Sequence, residues 1–212
     1  MSDRRWKQLV AASGVAFVLL AVAGMVIGGG AGERDAADYF VESRGEVLTQ
    51  GYLFGLALIF FLSFVGALHH HLESAGGEAL SPAVLAGGIL TAAGLFTSGA
   101  LNVALAAGIA ERVDPWITRA LYAVSVRIVD LVPFWMAAFV GFAAILILRT
   151  RALASWIGWY GVALAAGGLL APMAIFVEGG FFSSGGPYAN MLFPAAFLVW
   201  IIVTSAALIR RA

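Results

Sequence analysis

Apolar residues fall in six long runs rather than in the narrow stripes of a water-facing helix: 9–28, 51–68, 83–110, 131–148, 156–177 and 191–209. Crossing the hydrocarbon core of a bilayer takes about 20 residues of helix. Lipid offers nothing to hydrogen-bond with, so each run must satisfy its backbone internally, which predicts six helices rather than strands. The second and fourth runs, at 18 residues each, borrow length from amphipathic flanks, while the third tilts or extends past the interface. Between the first two runs, residues 29–50 place Ala37, Phe40, Val41, Val47 and Leu48 at roughly helical spacing, which predicts a short interfacial helix. The stretch EGGFFSSGGPYAN, residues 178–190, predicts irregular backbone from its glycines and proline. Its Phe181, Phe182 and Tyr188 suit the headgroup level. No internal repeat stands out.

Composition agrees with the pattern. The chain is 62% hydrophobic and 11% charged, against roughly 25% charged in a soluble domain. Formal net charge is zero, which removes any electrostatic case for nucleic acid as a partner. The absence of cysteine excludes disulfides, thiolate metal sites and thiol catalysis. Arg4, Arg5 and Lys7 precede the first run, but that run is too long for a secretory signal and no A-x-A cleavage site follows, so it reads as an uncleaved span. With the N-terminus in the cytoplasm, Arg4, Arg5, Lys7, Arg149, Arg151, Arg210 and Arg211 lie inside and Arg34, Arg44, Arg112 and Arg119 outside. The excess favours both termini inside. Arginine in place of lysine, with abundant Ala and Gly, points to a bacterial source and hence to the plasma membrane.

The stretch DYFVESRGEVLTQGYLFGLALIFFLSFVGALHHHLESAGG, within residues 35–80, resembles the opening half of an uncharacterised bacterial family of small multi-pass membrane proteins. The resemblance implies a helical membrane fold with a loop helix leading into the second span, and no catalytic motif. Where that family's turn is often arginine-rich, this chain has three histidines.

Candidate chemistry begins with RIVDLVPFW, residues 127–135. Arg127 and Asp130 are three apart, hence on one helical face and able to pair. Pro133 leaves the carbonyl of Val129 without its helical partner and favours a kink. Two readings stand: an interfacial ion pair with Arg127 reaching outward, or a polar pocket open to the outside. Asn102, about 12 Å below the outer end of its run at 1.5 Å per residue, and Glu178 at the outer end of the fifth run carry polarity to the same depth. Tyr122 and Tyr188 add hydroxyls nearby. In HHHLE, residues 69–73, His69 and Glu73 have i,i+4 spacing, but three consecutive histidines cannot all face one metal from a regular helix, and the chain has no others. No metal or cofactor is therefore implied. The only lysine, Lys7, precedes the first run, which leaves no intramembrane Schiff base. Walker, H-E-x-x-H and dinucleotide motifs are absent. The pairs Gly24–Gly28 and Gly51–Gly55 form G-x-x-x-G patterns, open to intramolecular packing or to a homodimer contact.

The expectation is a single all-α membrane domain over 1–212: a polytopic integral membrane helical bundle of six transmembrane helices, both termini inside. It binds or passes a small molecule, lipid or ion through an outward-facing polar cleft formed by Asn102, Arg127, Asp130 and Glu178, with membrane lipids as its partners. Alternatives are an intramembrane enzyme using Asp130 or Glu178 as acid or base, and a structural or partner-binding membrane subunit.

Overall fold

The computed structural model describes residues 3–29, 35–177 and 179–211, which form helices and turns with no strand among them. The helices are α1 (Asp3–Gly28), α2 (Ala36–Glu42), α3 (Arg44–Leu72), α4 (Ser81–Ala104), α5 (Pro115–Thr150), α6 (Ser155–Leu170) and α7 (Phe193–Arg211). Five stretches, Arg44–Gly77, Ser81–Ile109, Pro115–Thr150, Ser155–Phe176 and Tyr188–Arg211, are long and apolar enough to cross a membrane, and α1 adds the shorter apolar helix Ala12–Gly28. Large apolar side chains point outward along them, among them Leu19, Val26, Ile59, Phe96 and Leu169. That is the inverse of a water-facing surface.

α5 overruns its apolar stretch because capping, not hydropathy, decides where it starts. The Asp114 carboxylate accepts from the Trp116 amide at 2.8 Å and Pro115 takes the first helical position, where its missing N–H costs nothing. α5 therefore starts at Pro115 rather than 131 and runs 36 residues, about 54 Å at 1.5 Å per residue. Pro133 sits inside it without interrupting it. Elsewhere the backbone stops early. Regular α4 ends at Ala104 and the chain turns at Gly108, whose φ of +122° only glycine adopts freely. Pro172 leaves α6 to tighten into a 3-10 turn over Ala171–Phe176.

The six long helices form a closed ring in which α1 touches α3, then α4, α5, α6 and α7 follow in order and α7 returns to α1. Aromatic rings fill the middle. Phe61 lies 5.0 Å from Phe17 and 5.7 Å from Phe139, and Phe139 lies 5.8 Å from Trp200, whose indole N–H donates to the Ile157 carbonyl. Small residues permit this closeness: a Cβ on Gly87 would sit 2.8 Å from the backbone nitrogen of Phe139. The G-x-x-x-G pairs pack inside the chain at three of four positions, Gly24 on Phe54, Gly28 on Gln50 and Gly51 on Val103, while Gly55 meets nothing within 4 Å.

One end of the ring carries α2, the other the histidines. Asp35 caps α2 by accepting from the Ala37 amide. Tyr39 and Phe40 turn into a small second core with Val47, Leu105, Ala106 and Ala110. Val41, expected on that face, is instead exposed, and Leu48 is only partly buried. Arg119 of α5 pairs with Asp35 at 2.8 Å and so ties this cap to α5, while Arg44 at the start of α3 pairs with Glu111 in the turn before α5 at 3.3 Å. The Ala37 amide lowers the Asp35 carboxyl, partial desolvation opposes it and Arg119 adds to it, leaving the group below its ordinary value.

Candidate functional site

A cavity of about 420 Å³ occupies the centre of the ring in the half nearer α2. Five of the long helices contribute to its wall, with Met25 of α1, Phe54 of α3, Leu95 of α4, Met136 of α5 and Phe197 of α7, and Ala171 of the turn after α6 completes it. Phe17 and Phe197 belong both to this wall and to the central aromatic cluster with Phe61, Phe139 and Trp200. The aromatic layer thus bounds the cavity on the side away from α2. Its lining is mainly apolar, with polar groups from four elements: Gln50, Ser98, Asn102, Asp130 and Asn190.

Asp130 is the polar centre. Its side chain is 5% exposed, whereas that of its partner Arg127 is 57% exposed, with Nη1 donating to Oδ2 at 3.0 Å. From the opposite side, the Ser184 hydroxyl donates to the two carboxylate oxygens, 2.8 Å from each. A buried carboxylate is tolerated only when paired and hydrogen-bonded, and here both requirements are met. Ser184 reaches it because the loop after α6 folds tightly. Gly180 adopts φ +93°, the Gly186 amide donates to the Ser183 carbonyl at 2.8 Å, and a Cβ on Gly186 would lie 2.5 Å from the Gly180 oxygen. Phe181, Phe182 and Tyr188 stack around the turn, with centroids 4.9–5.9 Å apart. The Asn190 carboxamide N–H then donates to the Ser184 carbonyl, fixing the loop to the turn that opens α7.

Asn102 belongs to a second group. Its Oδ1 accepts from the Ser125 hydroxyl at 2.9 Å, which also lies 2.9 Å from the Tyr122 carbonyl, and Ser98 donates to the Ser125 carbonyl at 3.0 Å. These bonds join α4 to α5. Asn102 lies two residues before the end of regular α4 at Ala104 and seven before the end of the helical stretch at Ile109. Val103 fills the space that Gly51 leaves, bringing α3 and α4 together at the level of Gln50 and Asn102.

Of the four residues expected to form a cleft, Asp130 and Asn102 line one cavity, Arg127 stands outside it and reaches in only through Asp130, and Glu178 lies outside the described residues. Tyr122 and Tyr188 do not line it either. Tyr122 packs edge-on against Phe40, and the Tyr188 hydroxyl donates to the Gly167 carbonyl. Gln50, Ser98, Ser184 and Asn190 were missed. Ser98 had a signal, since it lies four residues before Asn102 and shares its helical face. Ser184 had none, because a glycine-rich loop does not announce what it folds against.

At the histidine end the imidazoles serve the fold. His69 Nδ1 hydrogen-bonds with Ser81, Nε2 lies 3.9 Å from Glu73, and His71 Nε2 lies 3.3 Å from the Ala152 carbonyl, to which Arg211 also donates. His70 is exposed. Among the described residues no group of three or more His, Cys, Asp or Glu could hold a metal. The chain matches no protein-family model, no curated protein and no solved structure, so the resemblance over residues 35–80 gains no support from them.

Proposed function

We propose that this chain is a six-span integral membrane protein of the bacterial plasma membrane, with both termini in the cytoplasm, that binds a small molecule or lipid in the α2-side cavity. The carrying observation is the cavity itself, about 420 Å³, mainly apolar, with polar groups from four elements and the rings of Phe17 and Phe197 as its floor. Small-molecule sites are commonly apolar pockets of about 300–1,000 Å³ with a few placed polar groups. In the proposed orientation α2 and its ion pairs lie outside the membrane, and the cavity is reached from that side or from the outer leaflet. The aromatic floor favours binding over passage. Asp130 is better suited to organising the pocket than to acid–base work, because both its oxygens are already engaged.

Gly99 provides the test. It lines the cavity, and a Cβ there meets nothing within 4 Å. Gly99→Phe should fill the space without disturbing the helices. A thermal-shift screen of purified protein against lipids and small amphiphiles should yield ligands that raise the melting temperature of the parent chain and leave Gly99→Phe unchanged. Equal shifts in both proteins would refute a cavity-binding role.

A further inference from the structure

The polar groups of the cavity differ in whether their bonding capacity is already used. Asp130 has both oxygens occupied and its charge balanced by Arg127. An ammonium head would have to displace that guanidinium. An anionic head would meet the Asp130 carboxylate, with Arg127 already paired and turned outward. Charge therefore selects against both ions. The carboxamides differ. Asn102 uses its oxygen for Ser125, while its Nδ2 has no partner among the described residues. Gln50 has no hydrogen bond at either end of its carboxamide among the described residues, and it is seated in the space that Gly28 leaves open. The two residues flank the contact of Gly51 with Val103 between α3 and α4, so their free N–H groups belong to the same level of the wall. Below them lie Phe17, Phe54, Met136 and Phe197.

We infer that the cavity selects an uncharged amphiphile whose head accepts hydrogen bonds, an ester or ketone carbonyl, received by the free N–H groups of Gln50 and Asn102 while its hydrocarbon body lies on the aromatic floor. This rests on the cavity-binding reading and specifies the ligand class. Gln50 and Asn102 are partly buried, and a donor that gives up water when a ligand enters costs free energy unless it is paired again, so a carbonyl head suits this level of the wall and a bare hydrocarbon does not. The committed state of Asp130 makes it a positioning residue that holds Ser184 and the α6–α7 loop against the cavity.

Three eight-carbon probes with different heads separate the outcomes: methyl octanoate, octanoate and octylammonium, each titrated at neutral pH into the full chain in phosphatidylcholine nanodiscs, with bound copies counted by native mass spectrometry. Methyl octanoate should bind at one copy per chain, at least tenfold tighter than either ion. Gln50→Leu and Asn102→Leu should each weaken it by about fivefold, the worth of one neutral hydrogen bond. Gln50→Leu is the safer variant because it breaks no internal bond, and in Asn102→Leu the Ser125 hydroxyl keeps the Tyr122 carbonyl. Unchanged melting temperatures without probe would confirm that both variants fold. Preference for an ion, or binding indifferent to both leucine variants, overturns the head-group inference and leaves the cavity reading standing. Binding that survives Gly99→Phe, or no binding by any probe, defeats the cavity reading itself.

Discussion

Asp130 and Arg127 are unequal partners, and the inequality decides which substitution is damaging. In the structure the arginine is the exposed member and the aspartate the buried one. Asp130→Asn keeps an oxygen for Ser184 and leaves Arg127 exposed, so it should cost about 0–1 kcal/mol, the worth of an exposed pair. Arg127→Gln leaves a buried carboxylate balanced by one hydroxyl, and the loss should approach about 3–5 kcal/mol, the penalty for breaking a buried pair. The double variant should fall back toward Asp130→Asn, since no charge remains unpaired. Unfolding of the three variants in detergent checks the order. Equal losses for the two single variants would show that the pair acts as a surface contact.

Two elements set the shape of the cavity wall and the α2 end without being long or strongly apolar. In the α6–α7 loop, Gly186 has no room for a methyl group against two backbone carbonyls. Gly186→Ala must open the turn and withdraw Ser184 from Asp130, with a destabilisation of about 1–3 kcal/mol, the usual range for overpacking. The chain has no native cysteine, so Ser184→Cys carries a unique thiol whose maleimide labelling should accelerate when Gly186→Ala is added. The α2 cap depends on Asp35, whose folded-state value is depressed chiefly by the Ala37 amide. A depressed carboxylate contributes stability that is present above its unfolded value and lost as pH falls through the folded one. Hydrogen exchange in α2, corrected for intrinsic rates, should therefore speed up only below the ordinary aspartate range near pH 4, and Asp35→Asn should remove that dependence.

For the molecule as a whole, the basic-residue asymmetry and the ring of six helices make one prediction together. A reporter active only outside the cytoplasm should be silent when fused after Ala212 and active when inserted near Ala36. Activity at both positions would contradict an even number of spans. The ring also explains why G-x-x-x-G pairs need no second copy here: Gly24, Gly28 and Gly51 are already covered by side chains of neighbouring helices.

Sequence alone determined that the chain is helical and suited to lipid, because runs of apolar residues in a solvent without hydrogen bonds admit few backbone solutions. It also placed a helix in the first long connection and brought attention to Asp130 and Asn102, since a charge or carboxamide beside so much hydrocarbon needs a partner. It could not say which partner. Ser184 is 54 residues from Asp130, and the Gln50 carboxamide packs onto Gly28 at the cavity wall. Such contacts depend on ring closure and on where single glycines leave room. Hydropathy constrains each helix separately, whereas the depth of Asn102, the burial of Asp130 and the cavity between them are set by how six helices pack, which only the tertiary structure decides.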